Sequence, residues 1–377
     1  GVGTADSINT SGIITATALV PTTGQLSHRN LIINGDYRIA QRATSSTSNG
    51  YQTMDRWYGY ANNTGTTVTT AQVDVTSGNA YDDGFRKAAK ISLSGAGTLA
   101  SDSQIQLFTK LEAQDIANSG WNYKSASSFI TLSFWVKSST AQAFPVHIRT
   151  EDGTSYAYSF TYTVAQANVW QKITKSIPGN SNLTIDDNNG SGLRVYAAMP
   201  VQGSSFDGAT ADTWAVNATA TRVPPVPDTW LTAGASTFEI TGVQLEVGDT
   251  ATSFEHRSFD DELRRCQRYF QRLGGGSAYH VIANGFLRET TQTFVQGYFT
   301  TRMRASPGAP TMNGSPITID RYYFDQTISS IDSSQSRYSV DGFHMRLGHS
   351  SVGAEHRPVF LCSNSGGSGS FDFSAEL

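Results

Sequence analysis

Aromatic rings beside amides, carboxylates and guanidinium groups are the chemistry this chain offers most freely. It carries 6 Trp, 16 Tyr and 19 Phe. Flat rings stack on the apolar faces of sugars while neighbouring Asn, Asp, Gln or Arg serve the hydroxyls, and together they make a glycan site. Trp135 stands on the small, polar side of an alternating stretch, and Tyr81, Trp214 and Trp230 fall in loop-like stretches, where exposure is expected. These four are candidates for sugar contact. Trp57-Tyr58-Gly-Tyr60 follows the charged pair Asp55-Arg56. A sandwich needs large rings between its sheets, so Trp57 and Trp135 also fit a core. Further along, Arg321, Tyr322 and Tyr338 belong to the Arg- and aromatic-rich runs Arg321-Tyr-Tyr-Phe324 and Arg337-Tyr338. Such residues anchor binding surfaces and equally fill interfaces between copies of a chain.

Hard oxygen donors are the second group. Asp36, Glu239, Glu246 and the pair Asp186-Asp187 could ligate calcium, although no stretch has EF-hand spacing and solvated turn carboxylates compete as an explanation. His344, His349 and His356 are near one another in sequence, yet His-x-His is absent and the histidines form no ligand set. His344 alternates with Phe343 and Met345 and reads as a surface or interface residue. Cys266 and Cys362 read as small core residues. Gly-x-Ser-x-Gly, His-Glu-x-x-His and a phosphate loop are all missing. Glycan cleavage would need two facing carboxylates, and Asp and Glu are scattered.

The elements that must hold these groups are strands. Charged residues make up 15% of the 377, against roughly a quarter in ordinary domains, with 35 Gly and a net charge of −4. No basic stripe points to nucleic acid. No apolar stretch is long enough to insert in a membrane, and two cysteines make no disulfide framework. Ile130, Leu132, Phe134 and Val136 share one parity, as do Tyr156, Tyr158, Phe160, Tyr162 and Val164, and then Leu193, Val195, Ala197 and Met199. In 237–247 the apolar parity switches at Gly242, which predicts a β-bulge. Ser258-Phe-Asp-Asp261 is a capping box opening a helix of about fourteen residues, with Phe259, Leu263, Cys266, Tyr269 and Phe270 on one face and Gly274-Gly-Gly276 as its stop. Lying between two β-regions, it is either a hinge packed on both or a neck bundled with its own copies. Alternation resumes after the glycines, and Phe371-Asp-Phe373 reads as a final edge strand after a mobile loop.

Several of these runs resemble a known family. Asn30-Leu-Ile-Ile-Asn-Gly-Asp-Tyr-Arg-Ile-Ala-Gln-Arg42, Asp55-Arg-Trp-Tyr58, Ile130-Thr-Leu-Ser-Phe-Trp-Val-Lys137, Trp170-Gln-Lys-Ile-Thr174 and Thr237-Phe-Glu-Ile-Thr-Gly-Val-Gln-Leu-Glu-Val-Gly248 occur in that order. Ala251-Thr-Ser-Phe-Glu-His-Arg-Ser258 then runs into Glu262-Leu-Arg-Arg-Cys-Gln-Arg-Tyr-Phe270. The set resembles a jelly-roll domain of tailed-phage fibre proteins, itself similar to carbohydrate-binding-module sandwiches. Met303-Arg-Ala-Ser-Pro307 and Ala375-Glu-Leu377 are similar to the tips of the same proteins. The resemblance implies an external appendage of the virion, trimeric, whose distal part recognises the host surface. In many such fibres the jelly roll is a spacer. Related jelly rolls often carry a structural calcium, for which Asp36, Glu239 and Glu246 are the candidates. Some fibre tips hold iron through His-x-His, which this chain lacks.

The expected protein is all-β. An attachment arm (1–28) precedes a jelly-roll β-sandwich (29–257), a short neck helix (258–273) and a second, smaller antiparallel β-sandwich (274–377). It is expected to be a homotrimer joined to other virion tail or capsid proteins through the arm, with a host cell-surface glycan or protein as ligand. It is expected to have no catalytic residues and no cofactor beyond a structural calcium. A capsid-decorating or collar fibre without a receptor is the alternative, and a glycan-depolymerising tailspike the third reading.

Overall fold

The computed structural model describes residues 28–320, 325–350 and 357–377. The expected arm, His28 apart, and the candidates Arg321, Tyr322 and His356 lie outside the described residues. The chain is all-β. Its first twelve strands are β1 Ser45–Ser46, β2 Tyr58–Asn62, β3 Val68–Asp74, β4 Lys87–Leu93, β5 Gln104–Glu112 and β6 Phe129–Ser138. Then come β7 Ala143–Thr150, β8 Tyr156–Thr163, β9 Gln171–Pro178, β10 Ser191–Gln202, β11 Trp214–Val216 and β12 Thr237–Val247. They form two six-stranded antiparallel sheets, ordered β1-β3-β4-β12-β6-β9 and β11-β8-β7-β10-β5-β2.

Alternation explains the core between the sheets. Ile130, Leu132, Phe134 and Val136 of β6 meet Leu193 and Val195 of β10, and the aromatic parity of β8 points inward with them. In β12 the register slips between Thr241 and Gln244, so Phe238 and Ile240 before the slip and Val243 and Leu245 after it all reach the core. Gly242 sits there at φ +62°, and a Cβ would lie 2.4 Å from Phe85 Cζ. The predicted bulge is therefore present, and only glycine fits it. β10 departs from its expected pattern. Its register shifts after Tyr196, leaving Ala197 and Ala198 inward but turning Met199 away to pack with Phe108, Tyr196 and Val223.

The Asn30–Arg42 run is a connector rather than a strand. Asn30 Oδ1 accepts from the backbone N–H groups of Ile32 and Leu245, and its Nδ2 donates to Val243 O. Asn34, left-handed at φ +58°, donates through Nδ2 to the carbonyls of Ile39 and Asp55, and its own carbonyl accepts from Trp57 Nε1 at 2.9 Å. Gly35 is needed because a Cβ would fall 2.1 Å from Val243 O. The Asn34 N–H donates to Glu262 of the helix after β12, and Arg257 binds the Asn30 carbonyl, Glu255 and Glu262. These motif residues knit the sandwich to that helix.

The helix is shorter than expected. It spans Phe259–Gln267, with Ser258 Oγ accepting from Asp261 N at 3.2 Å, while the Asp261 carboxylate pairs forward with Arg265. The chain then becomes strand β13 Phe270–Gly274. Tyr269 and Phe270 are buried as the helical pattern requires, but Phe270 does so from a strand, where it pairs with Ser374. Phe259 is 54% exposed, and the buried helix positions are Glu262 and Cys266.

The remaining strands are β14 Val281–Glu289, β15 Gln292–Tyr298, β16 Thr311–Asn313, β17 Ile317–Asp320, β18 Asp325–Tyr338, β19 Gly342–His349, β20 Pro358–Cys362 and β21 Ser370–Ser374. The strands here are antiparallel as expected, but instead of a second sandwich six of them close into a barrel, β14-β15-β19-β18-β17-β20, beside a three-stranded sheet β13-β21-β16. Closure removes exposed sheet edges. β21 is not an edge strand. It lies between β13 and β16, and Phe371 and Phe373 are fully buried, with Phe373 stacked on Phe343 at 4.8 Å.

The segment after β21 returns to the sandwich. Glu376 pairs with Arg56 and with Arg42 (3.2 Å), and Arg56 lies over the Tyr269 ring at 3.4 Å. Arg304 reaches the carbonyls of Ala375 and Asn189. Arg268 grips Glu112 of β5 with two bonds of 2.7 and 2.8 Å. Although burial works against it, the Arg268 and Tyr269 hydrogen bonds hold the Glu112 carboxyl below its ordinary range.

Candidate functional site

The outward parity of the β2-β5-β10-β7 sheet builds the site. In β5, Ile105, Leu107 and Leu111 enter the core while Gln104, Gln106, Phe108 and Lys110 face outward. Register aligns them with neighbours. Tyr58 of β2, Phe108 of β5, Tyr196 of β10 and His147 of β7 form one cross-strand row. Two residues along, Lys110, Arg194 and Arg149 form a second row. On the other side Tyr60 stands opposite Gln106. The result is an open groove of about 470 Å³, completed by Arg222 and Leu377. That is the size of a small-molecule site.

Its floor is aromatic. Tyr58 and Phe108 stack at 4.8 Å with 14° between planes, and Phe108 and Tyr196 lie 4.8 Å apart, tilted by 44°. Arg194 spans the floor, with Nη1 donating to Tyr196 Oη at 3.1 Å and Nη2 to Glu151 Oε2 at 2.6 Å, while Arg149 Nε donates to Glu151 Oε1 at 2.8 Å. These bonds outweigh the burial of Glu151 and keep its carboxyl below the usual range. Gln104 Oε1 accepts from Gln106 Nε2 at 2.8 Å and from Arg222. Fixed guanidinium and amide groups around flat rings can bind hydroxyl-rich or charged planar ligands.

His147 supports the row from below. Burial, with the charges of Arg149 and Arg222, pushes its pKa down to about 3. Ser159 gives its single hydroxyl proton to Arg222 O at 2.6 Å, so His147 Nδ1, 2.9 Å from Ser159 Oγ, is the donor in that pair. The neutral ring thus helps to place the Arg222 segment.

The aromatic candidates from sequence are not brought together. Trp230 is fully buried with Nε1 bonded to Thr237 O at 3.0 Å, and Trp214 is 9% exposed with Nε1 bonded to Pro178 O at 2.7 Å. Their expected exposure is corrected: turn-rich sequence surrounds both, but each ring belongs to the core between the sheets. Trp57 is core. Trp135 is half-buried, donating to Asp83 Oδ2 at 3.0 Å. Tyr81 is half-buried beneath the Arg86 guanidinium, 3.8 Å from its ring. Tyr338 lines a separate hollow of about 310 Å³ with Tyr298 and His344.

The carboxylate candidates are likewise apart. Asp36 pairs with Arg38 at 3.0 Å, and burial raises its pKa despite that partner. Glu239 pairs with Lys137 at 2.7 Å, and Glu246 accepts from Thr252 and Gln244. Among the described residues no group of three or more His, Cys, Asp or Glu could hold a metal ion. Cys266 and Cys362 are buried and not disulfide-bonded. Of the groove residues the sequence reading noted only Tyr58 and Tyr60, in the run Trp57-Tyr58-Gly-Tyr60; the β5, β10 and β7 residues escaped it, although the alternation in Gln104–Glu112 and in Leu193-Arg-Val-Tyr196 carried their signal.

No family model matches the chain, and no curated protein does. Among solved structures, the chain is similar to the enzymatically active domain of tailspike protein 4 of bacteriophage CBA120, at 10% identity and a TM-score of 0.30 over 58% of this chain. It spans 21% of that tailspike chain. It is also similar to a putative sugar binding protein from Bacteroides thetaiotaomicron, at 14% identity and a TM-score of 0.31, covering 58% of this chain and 99% of that one. A family 11 carbohydrate-binding module of a Clostridium thermocellum cellulosomal cellulase matches at 15% identity and a TM-score of 0.25, over 57% of this chain and 98% of that one.

Proposed function

We propose that this chain is a glycan-recognising fibre or appendage protein of a tailed-phage virion, with the β2-β5-β10-β7 groove as its sugar site. The observation that carries the sugar reading is the cross-strand row Tyr58–Phe108–Tyr196 bordered by Gln104, Gln106, Arg149, Arg194 and Arg222. Phe108 and Tyr196 are buried beneath this surface, Tyr58 and Tyr60 supply the exposed ring area, and the fixed polar groups supply orientation. The lining contains no Asp or Glu, which favours holding a glycan in this groove over cleaving it. The virion setting rests on the Asn30–Arg42 to Cys266–Phe270 resemblance. In a homotrimer, three modest sites would act through avidity.

Binding of the whole chain to an array of bacterial surface glycans tests the reading. Wild type should bind a subset, and Tyr60→Ala should bind them about tenfold more weakly, because Tyr60 borders the groove without entering the core. A chain that binds no glycan, or a Tyr60→Ala variant that binds as wild type does, removes the groove from consideration and leaves the decorating fibre as the better account.

A further inference from the structure

The groove is unevenly charged. Lys110, Arg149, Arg194 and Arg222 line it, and no Asp or Glu side chain does. One acid reaches these cations, and Glu151 divides its two oxygens between Arg149 and Arg194. Nearby Glu112 is held by Arg268 and Tyr269, and Glu376 by Arg42 and Arg56. Lys110 donates to a main-chain oxygen of Leu377 at 2.8 Å, and Arg222 to the amide oxygen of Gln104 while lying over the Phe206 ring. Arg222 has no Asp or Glu partner among the described residues. Arg194 Nε is buried without an acceptor. Burial, with added repulsion from neighbouring guanidinium groups, lowers the pKa of both Lys110 and Arg222. The cations are crowded, and a bound anion would relieve them.

Position sharpens the point. Arg222 lies beside Gln104 at one end of the outward β5 face, and Lys110 with Arg194 lies at the other, with the Phe108 ring between. We propose that the groove selects an acidic saccharide: a sugar ring rests against the partly exposed Tyr58 and Tyr60, and its negative substituents face Lys110 and Arg222. This rests on the glycan-binding reading and narrows its ligand class. Carboxylate, phosphate and sulfate sugars share the required chemistry.

The test is calorimetric titration of the full chain with a panel of oligosaccharides bearing uronate, sialate, phosphate or sulfate groups, each beside a neutral counterpart such as the methyl ester of a uronate. At least one acidic member should bind tenfold or more tighter than its neutral counterpart, and the preference should fade as salt rises. The members that bind distinguish a carboxylate from a phosphate or sulfate ligand. Arg222→Gln and Lys110→Gln should each erase most of the preference, whereas Arg222→Lys, which keeps the charge, should retain it. Equal binding of acidic and neutral members, or a preference that survives both Gln variants, overturns this inference while leaving the glycan site standing. Silence across acidic and neutral members overturns both.

Discussion

His147 is enclosed between the guanidinium groups of the groove and its own sheet, and its ionisation shows how a single residue limits the fold. The folded protein keeps the ring neutral down to about pH 3, whereas an unfolded chain protonates it near 6.5. The stabilising difference is therefore complete above pH 6.5 and is lost as pH falls towards 3. Between pH 7 and pH 5 this amounts to about 2 kcal/mol. Urea unfolding at the two pH values should show a drop in stability that shrinks by about that amount in His147→Gln. Asp55, whose pKa burial raises to about 6, works in the opposite direction, but it is common to both proteins and cancels in the comparison. An unchanged drop would mean that His147 protonates freely in the folded state. Single residues were the least legible part of the sequence. Trp214 and Trp230 looked exposed because their neighbours are turn formers, and only the distant acceptors Pro178 and Thr237 reveal why both rings are inside.

Strands were legible wherever the information was local. The parities of β6, β8 and β12 give their core faces directly, and the switch at Gly242 locates the bulge. Gly242→Ala should therefore be costly. It places a Cβ in a left-handed position and against Phe85, which together should cost about 2–4 kcal/mol and lower Tm by roughly 5–10 °C. Phe85→Leu in the same chain should recover part of that loss, and a Gly242→Ala protein that melts like wild type would show that the bulge relaxes freely. The groove was not legible in this way. Its row joins β2, β5, β10 and β7, and only their register brings Tyr58, Phe108, Tyr196 and His147 side by side. The helix shows the opposite error. Its periodicity continued through Phe270, but pairing with β21 claims that residue for a sheet.

Across the whole molecule, buried ion pairs tie the barrel end of the chain to the sandwich. Arg56 is 1% exposed, and its carboxylate partner comes from Glu376. Glu376→Ala strands that guanidinium and should destabilise the protein by about 3–5 kcal/mol. Calorimetry of the wild type should show one cooperative transition. The variant should show either a lower one or a separate early melt of the distal unit, and an unaltered trace would mean that this pair does not couple the two.

The ladder between β13 and β21 has a wider consequence. Residues 275–369 leave through one strand and re-enter through its immediate neighbour, so the barrel has adjacent ends, while Thr300, Thr301 and Arg304 within that span also bond back to Gln271 and Asn189. A cassette with fixed, adjacent ends can be exchanged for another provided that Phe371 and Phe373 remain covered.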